Sequence, residues 1–363
     1  MSIEDEIRAV EEEIRNTQYN KSTESHIGRL KAKLARLKDE AAKVTSKATG
    51  ARFAVRKSGD ATVVIVGPPS AGKSTLLNML TGAHSPVGDY PFTTVEVIPG
   101  VFSHKGARIQ VLDLPGLIEG AASGRGRGRE ILAVIRGSDL VLILLDVFDI
   151  SGLGAIQREL HEAGIRINIR PPDVTIKRTG RGGVTVSSTA GAAGLHPELI
   201  KSILGEYKIH NADVTIREPV SMERFIDALT ENLIYIPGIV VLNKAELADD
   251  ALMQRYRREI PDAFFISAVK GTNIEALKEE LYRRLRFIRI YMKPQGGQAD
   301  MTEPMILKSG ATIGTACDWI HRDFRQKFRY ALVWGKSVKH MGQHVGIDHR
   351  LIDGDVVTII TRK

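Results

Sequence analysis

The sequence predicts an α/β protein organised around a mostly parallel sheet, and three observations carry that prediction. From Ala61 onward, short continuous apolar runs alternate with amphipathic stretches, the pattern of strands covered by helices on both faces. A glycine-rich loop stands between the first such strand and the helix that follows it. The apolar runs Leu140 to Leu145 and Ile239 to Leu242 are separated by an interval too long for a plain connection, so the sheet is expected to carry an insertion.

Each element follows in chain order. Residues 1–46 place Ile3, Ile7, Val10 and Ile14, then Ile27, Leu30, Leu34 and Leu37, at helical spacing, with a polar break at Asn16 to Ser22. This predicts a helical hairpin whose outer face carries Lys31, Lys33, Arg36 and Lys38, either as a solvated surface or as a phosphate contact. Residues 60–150 and 238–287 supply the sheet, with strands expected at 61–66, 95–102, 108–112, 140–145, 239–242 and 264–266. Residues 151–237 form an inserted α+β subdomain. In it, alternating β-branched residues around Gly180 to Gly183 read as a hairpin, flanked by helices near 154–163, 197–204 and 222–232. Residues 288–363 form a small α+β module, with strands at 288–292, 305–307, 330–333 and 355–360 and a helix at 312–320.

Composition bounds the function. The chain has 363 residues, 43% hydrophobic and 26% charged, which suits more than one globular domain. Its longest apolar run, Leu140 to Leu145, is far short of the roughly 20 residues of a membrane span, and the charged N-terminus lacks the apolar core of a secretory signal. No membrane association and a cytoplasmic location are therefore expected, as is a monomer. The single cysteine, Cys317, excludes an intramolecular disulfide and a cysteine-built metal site, and is expected to be a small core residue. A formal net charge of +8 leans toward polyanionic partners.

The chemistry concentrates in Gly67-Pro68-Pro69-Ser70-Ala71-Gly72-Lys73-Ser74, followed by Thr75. A glycine-rich loop between strand and helix turns backbone N–H groups toward phosphate oxygens, and the helix N-terminus adds a favourable dipole. Lys73 is placed to reach the β and γ phosphates of a nucleoside triphosphate, and Ser74 to ligate Mg2+. The loop alone does not choose the base, so the later strand ends must. Asp113-Leu-Pro-Gly116 puts a carboxylate near Mg2+, through a coordinated water, and the Gly116 N–H near a γ-phosphate. Asn243-Lys244-Ala245-Glu246 offers a carboxylate to guanine N1–H and its exocyclic amine, and Ser267-Ala268 a backbone N–H to guanine O6.

The order of GPPSAGKS, DYPFTT, DLPG, NKAE and SA resembles the Obg branch of P-loop GTPases, and within it the developmentally regulated GTP-binding proteins. Supporting segments are Gly88 to Thr94, Gly124 to Arg129, Glu159 to Asn168, and Asp348 to Val357, the last similar to the end of that family's TGS domain, a β-grasp module. The resemblance spans nearly the whole chain and implies GTP hydrolysis and ribosome-linked work. By motif alignment with that family, Thr94 is expected to close over Mg2+ and the γ-phosphate, ahead of Thr93. Glu246 departs from the family's aspartate by one methylene. Ser70 stands where potassium-stimulated relatives often carry asparagine, which leaves K+ dependence open.

Leu117 follows Gly116 where Ras-like proteins place a water-orienting glutamine, so slow intrinsic turnover is expected, raised by a cation, a switch rearrangement or a partner. The C-terminal module interleaves bases and aromatics from Arg322 to Lys339, including Phe324, Phe328, Tyr330 and Trp334. Most of these aromatics are expected in the module's core, and the basic residues either keep it soluble or meet RNA. Together with the basic helical hairpin and the resemblance, this makes the ribosome or ribosomal RNA the leading partner, with a protein partner engaging the TGS or GTPase domain. Two alternatives stay open: an ATPase resembling the Obg-like ATPases, and a scaffold in which the nucleotide is structural.

Overall fold

In the computed structural model the described residues are 3–18, 20, 23–49, 58–82, 97–114, 128–189 and 195–362. They form two compact units, Met1–Phe53 with Leu160–Tyr235, and Ala54–Glu159 with Ile236–Lys363.

Helices α1 (Ile3–Asn16) and α2 (Glu24–Thr49) build the expected antiparallel start of the first unit. Val10, Leu30 and Leu37 are buried between them, with Ile3, Ile7, Ile14 and Leu34 packed alongside. Ile27 and Ala32 instead enter a second core. That sharing corrects the expected outer face. Lys31 reaches Glu223 at 2.7 Å, Lys38 reaches Glu11 at 2.8 Å and Arg36 reaches Glu40 at 3.4 Å, so these cations are paired and half-buried.

The second unit opens with β1 (Ala61–Val66), α3 (Lys73–Thr81), β2 (Ile98–His104), β3 (Ala107–Asp113), α4 (Gly128–Arg136) and β4 (Leu140–Asp146). Every residue of β1 is buried, as a central strand covered on both faces requires. The chain then runs through α5 (Gly152–Glu162), β5 (Ile165–Ile167), β6 (Val174–Arg178), β7 (Val184–Ser188), α6 (Pro197–Glu206), β8 (Ala212–Ile216), α7 (Met222–Asp227) and β9 (Ile234–Ile236). It returns to the sheet with β10 (Gly238–Asn243), α8 (Asp250–Glu259), β11 (Phe264–Phe265) and α9 (Ile274–Leu285). The sheet order is β11-β10-β4-β1-β3-β2. Only β2 runs antiparallel, to β3, while the other pairs are parallel. The mostly parallel α/β class is thus observed, and it brings the C-terminal ends of β1, β3, β4 and β10 together at one edge.

In the inserted segment the expected hairpin is corrected. β6 and β7 do not pair with each other; β8 lies between them, antiparallel to β6 and parallel to β7. The alternation in Ala212–Ile216, which buries Ala212, Val214 and Ile216, supplies a central strand that a local reading of 167–188 does not contain. Helix α7 is also shorter than expected. Past Asp227 the chain turns toward α2, where the Asn232 N–H donates to Asp39 Oδ1 at 3.1 Å.

The C-terminal module comprises β12 (Phe287–Met292), β13 (Met305–Lys308), α10 (Ile313–Ile320), α11 (Arg322–Gln326), β14 (Phe328–Trp334), β15 (Gln343–Val345) and β16 (Val356–Thr361). Its five strands run β13-β12-β16-β14-β15 under α10, whose Cys317 is fully buried in the core as expected. Phe324 and Phe328 pack on that core, Tyr330 stacks on His344 at 4.5 Å, and Lys293 Nζ lies 4.3 Å from the Trp334 ring centre. Phe287 and Ile306 join the core of the large sheet, and Lys308 pairs with Asp139, so module and sheet are one packed body. Among the described residues no helix is long and apolar enough to cross a membrane.

Arg166 and Asp227 form a two-pronged pair at 2.8 and 2.7 Å, with side chains only 8% and 13% exposed. Removing one partner strands a buried charge. Asp227→Ala is expected to destabilise the fold by about 3 kcal/mol, measured as a lowered urea midpoint; an unchanged midpoint would contradict the pair's structural role.

Candidate functional site

The loop after β1 is shaped by two close approaches. A Cβ on Gly67 would lie 2.1 Å from the Leu144 carbonyl oxygen of β4. Gly72 adopts φ +90° directly before α3, and a Cβ there would meet the Asn243 amide at 2.4 Å. Between them Pro68 is half-buried, Pro69 and Ser70 are exposed, with Ser70 at φ +66°, and Ala71 is buried. The turn delivers the chain to the N-terminus of α3, where the first helical N–H groups, around Lys73, Ser74 and Thr75, have no partner inside the helix.

Side chains converge on that helix end. Ser74 Oγ donates to Asp113 Oδ2 at 2.7 Å, joining the start of α3 to the end of β3. Lys73 Nζ lies over the loop, donating to the Gly67 and Pro68 carbonyls at 3.2 and 3.0 Å. Burial draws the Lys73 ammonium below its ordinary range, opposed by the charge of Asp113. Burial likewise pushes the Asp113 carboxyl up, against the Ser74 hydrogen bond and the Lys73 charge. A hydroxyl and a carboxylate oxygen in contact, beside a helix N-terminus, form a hard oxygen donor set that fits Mg2+.

The later strand ends join the same edge. Asn243, buried at the end of β10, donates from Nδ2 to the Ala71 carbonyl and accepts the Ala268 N–H on Oδ1, both at 2.9 Å. The Ala268 N–H, expected to face a base oxygen, is therefore engaged by Asn243, and the Ser267 N–H bonds to the Thr272 carbonyl at 3.2 Å. Lys244 has φ +64° and donates to Asp146 Oδ2 at 2.6 Å. Glu246 follows in a short 3-10 turn, Ala245–Leu247, and its Oε2 is buried without a hydrogen-bond partner. Thr94 and Gly116 lie outside the described residues, as do residues 83–96 and 115–127.

Asp146 was not anticipated. Its signal was its place at the end of the apolar run LVLILLD, which the sheet pairs in register with Asn243.

Residues 62–178 match the family described as 50S ribosome-binding GTPase, residues 181–287 the C-terminal region of that domain, and residues 288–361 the TGS domain. A GTP-binding protein of Methanocaldococcus jannaschii, named as uncharacterized, is 50% identical over all of this chain and 94% of its own. A Dictyostelium discoideum homologue of developmentally regulated GTP-binding protein 1 is 44% identical, with both chains fully covered. The chain belongs to the developmentally regulated GTP-binding proteins. It is thus a GTP-binding protein with a P-loop GTPase domain and a C-terminal TGS domain. Among solved structures, the Schizosaccharomyces pombe YchF GTPase is 14% identical with a TM-score of 0.46, over 84% of this chain and 99% of that one.

In this GTPase domain, burial pushes the Asp146 carboxyl up, but hydrogen bonds from Lys244 and the Phe148 N–H outweigh it and hold the group below its usual range. A carboxyl whose folded value is depressed stabilises fully above its unfolded value, near pH 4, and loses that contribution as pH falls through the folded value. Lys244→Met is therefore expected to be less stable than wild type at neutral pH, with the difference smaller at an acidic pH below the unfolded carboxyl value of about 4. Urea unfolding at both pH values checks this, and a difference that stays constant would contradict it.

Proposed function

We propose that the protein hydrolyses GTP slowly and uses the cycle as a ribosome-associated switch. The observation that carries the hydrolytic reading is the contact of Ser74 with Asp113 at 2.7 Å, beside Lys73 and the N-terminus of α3. In this reading the loop from Gly67 to Gly72 wraps the phosphates, the helix N–H groups of Lys73, Ser74 and Thr75 bind their oxygens, and the Lys73 ammonium moves from the loop carbonyls to the β and γ phosphates. Ser74 and Asp113 would hold Mg2+, joined by Thr94, and charge neutralisation at the β and γ phosphates is the chemistry that ion supplies when bound. Gly116 would offer its N–H to the γ-phosphate. Asn243 fixes the base-side loop, Lys244 flanks the base, and Glu246, with its unpartnered buried oxygen, accepts the guanine N1–H and amine. Ser267 and Ala268 shape that loop through backbone bonds.

Guanine is favoured over adenine on chemical grounds, since adenine N1 is an acceptor that a carboxylate repels. The TGS module, with exposed Arg322, Lys327, Arg329, Lys336 and Lys339, and the name of the matching family support a ribosomal RNA contact.

Calorimetry with GTP, GDP and ATP is expected to give tight GTP and GDP binding and ATP at least about tenfold weaker, a difference of ~1.4 kcal/mol; equal ATP affinity would favour the ATPase reading. Lys73→Ala is expected to abolish single-turnover hydrolysis and to weaken GTP binding. Unchanged kinetics in that variant would refute the site. Sedimentation with ribosomes is expected to show association that falls as salt rises, and its absence at low salt in every nucleotide state would count against the switch reading.

A further inference from the structure

The cations of the unit that joins the N-terminal helices to the inserted segment fall into two populations. Arg29, Lys31, Arg36 and Lys38 on α2 each reach a carboxylate, as do Arg166, Arg217 and Arg224. Arg8, Arg15, Lys33 and Arg170 form no ion pair among the described residues, and neither do Lys177, Arg178, Arg181 and Lys208, nor the imidazole of His210. The last five are all exposed.

These five gather at one end of the sheet β6-β8-β7. β6 ends there with Arg178, β8 begins there with Ala212, and β7 begins there with Val184, all in register. Asn211 ties the end together. Its carbonyl accepts the Thr179 N–H at 3.0 Å, its Oδ1 accepts the Gly183 N–H at 2.9 Å, and the Ala212 N–H bonds to the Gly183 carbonyl at 3.0 Å. The turn bearing Arg181 is thus held at both ends, and Lys208 and His210 sit on the neighbouring turn into β8. Gly180, Gly182 and Gly183 leave its backbone uncovered.

The face behind the tip is polar. Val174, Ile176, Val214 and Val186 turn into the core, so Thr175, Lys177, Thr215, Thr185 and Ser187 occupy the other face by the alternation of strands. Asp213 also lies on this face, paired in register with Lys177.

We propose that this tip binds the phosphate backbone of double-helical RNA. Unpaired cations, exposed turn backbone and a row of hydroxyls match phosphate and 2′-hydroxyl groups. A protein partner is less suited, because protein interfaces centre on buried apolar or aromatic anchors. Of the exposed large hydrophobic residues described, only Ile169 belongs to this unit, and it stands outside the tip. With no exposed Phe, Tyr or Trp at the tip to stack on a splayed base, backbone shape is what it reads. The surface is separate from the nucleotide chemistry, and only the choice of RNA over DNA rests on the ribosomal reading.

The test uses the full chain and fluorescence anisotropy with a blunt RNA duplex of about 20 base pairs at several salt concentrations. Wild type is expected to bind with strong salt dependence. The double variant Arg178→Glu, Arg181→Glu is expected to lose at least about tenfold in affinity and to flatten the salt slope by roughly 1 to 2. The lysine pair, Arg178→Lys with Arg181→Lys, should retain most binding. Thermal melting and GTP affinity should match wild type, which separates the effect from misfolding.

Absence of duplex binding by wild type at low salt overturns the proposal, as does a glutamate variant with wild-type affinity and slope. A variant that loses binding to poly-glutamate yet keeps the duplex overturns it in favour of an acidic protein. Duplex binding through the tip by a protein that never sediments with ribosomes supports the tip and counts only against the ribosomal reading.

Discussion

Asn243 joins segments that are far apart in the chain. Its side chain takes the Ala71 carbonyl on one side and the Ala268 N–H on the other, and its backbone stands in register with Asp146. Buried amide groups left unpaired cost about 1–3 kcal/mol each, so the phosphate loop, the end of β10 and the loop after β11 are held in one arrangement rather than adjusting separately. The same contact explains why Gly72 tolerates no side chain, since the Asn243 amide occupies the space where a Cβ would stand.

From that junction the division of labour in the sheet follows. Parallel strands all end at one edge, and residues at strand ends are the ones the topology can bring together. Ser74 meets Asp113 because β1 and β3 are neighbours with Ile65 opposite Asp113; Lys244 meets Asp146 because β4 and β10 are neighbours. The TGS module takes no part in that edge. It shares core with the sheet through Phe287 and Ile306, which makes it a fixed extension of the GTPase domain rather than a tethered one.

Much of this was legible from residues alone, for reasons that differ by element. The large sheet was readable because buried parallel strands are continuous apolar runs, and the glycine loop because its backbone demands are local. The order of the inserted sheet was not, because β8 lies far down the chain from the strands it separates and its alternation of Ala212, Val214 and Ile216 is short. The partners of Lys31 and Lys38 were hidden for the same reason: helical spacing places a lysine on a face but does not say what packs against it. At the site, residue types were legible and their hydrogen-bond partners were not, as the engagement of the Ala268 N–H illustrates.

Ile27 and Ala32 of α2 belong to the core completed by Leu199, Val214 and Phe225. The two halves of that core are separated by the whole first part of the GTPase domain, a high-contact-order arrangement in which loop closure precedes most of the reward. During synthesis at roughly 5–20 residues per second, α1 and α2 would emerge on the order of ten seconds before their partners. In that interval the helices have only each other, and the apolar side of α2 waits uncovered while the nucleotide loop is being made. Helix α2 thus precedes, in the order of synthesis, most of the residues that complete its core.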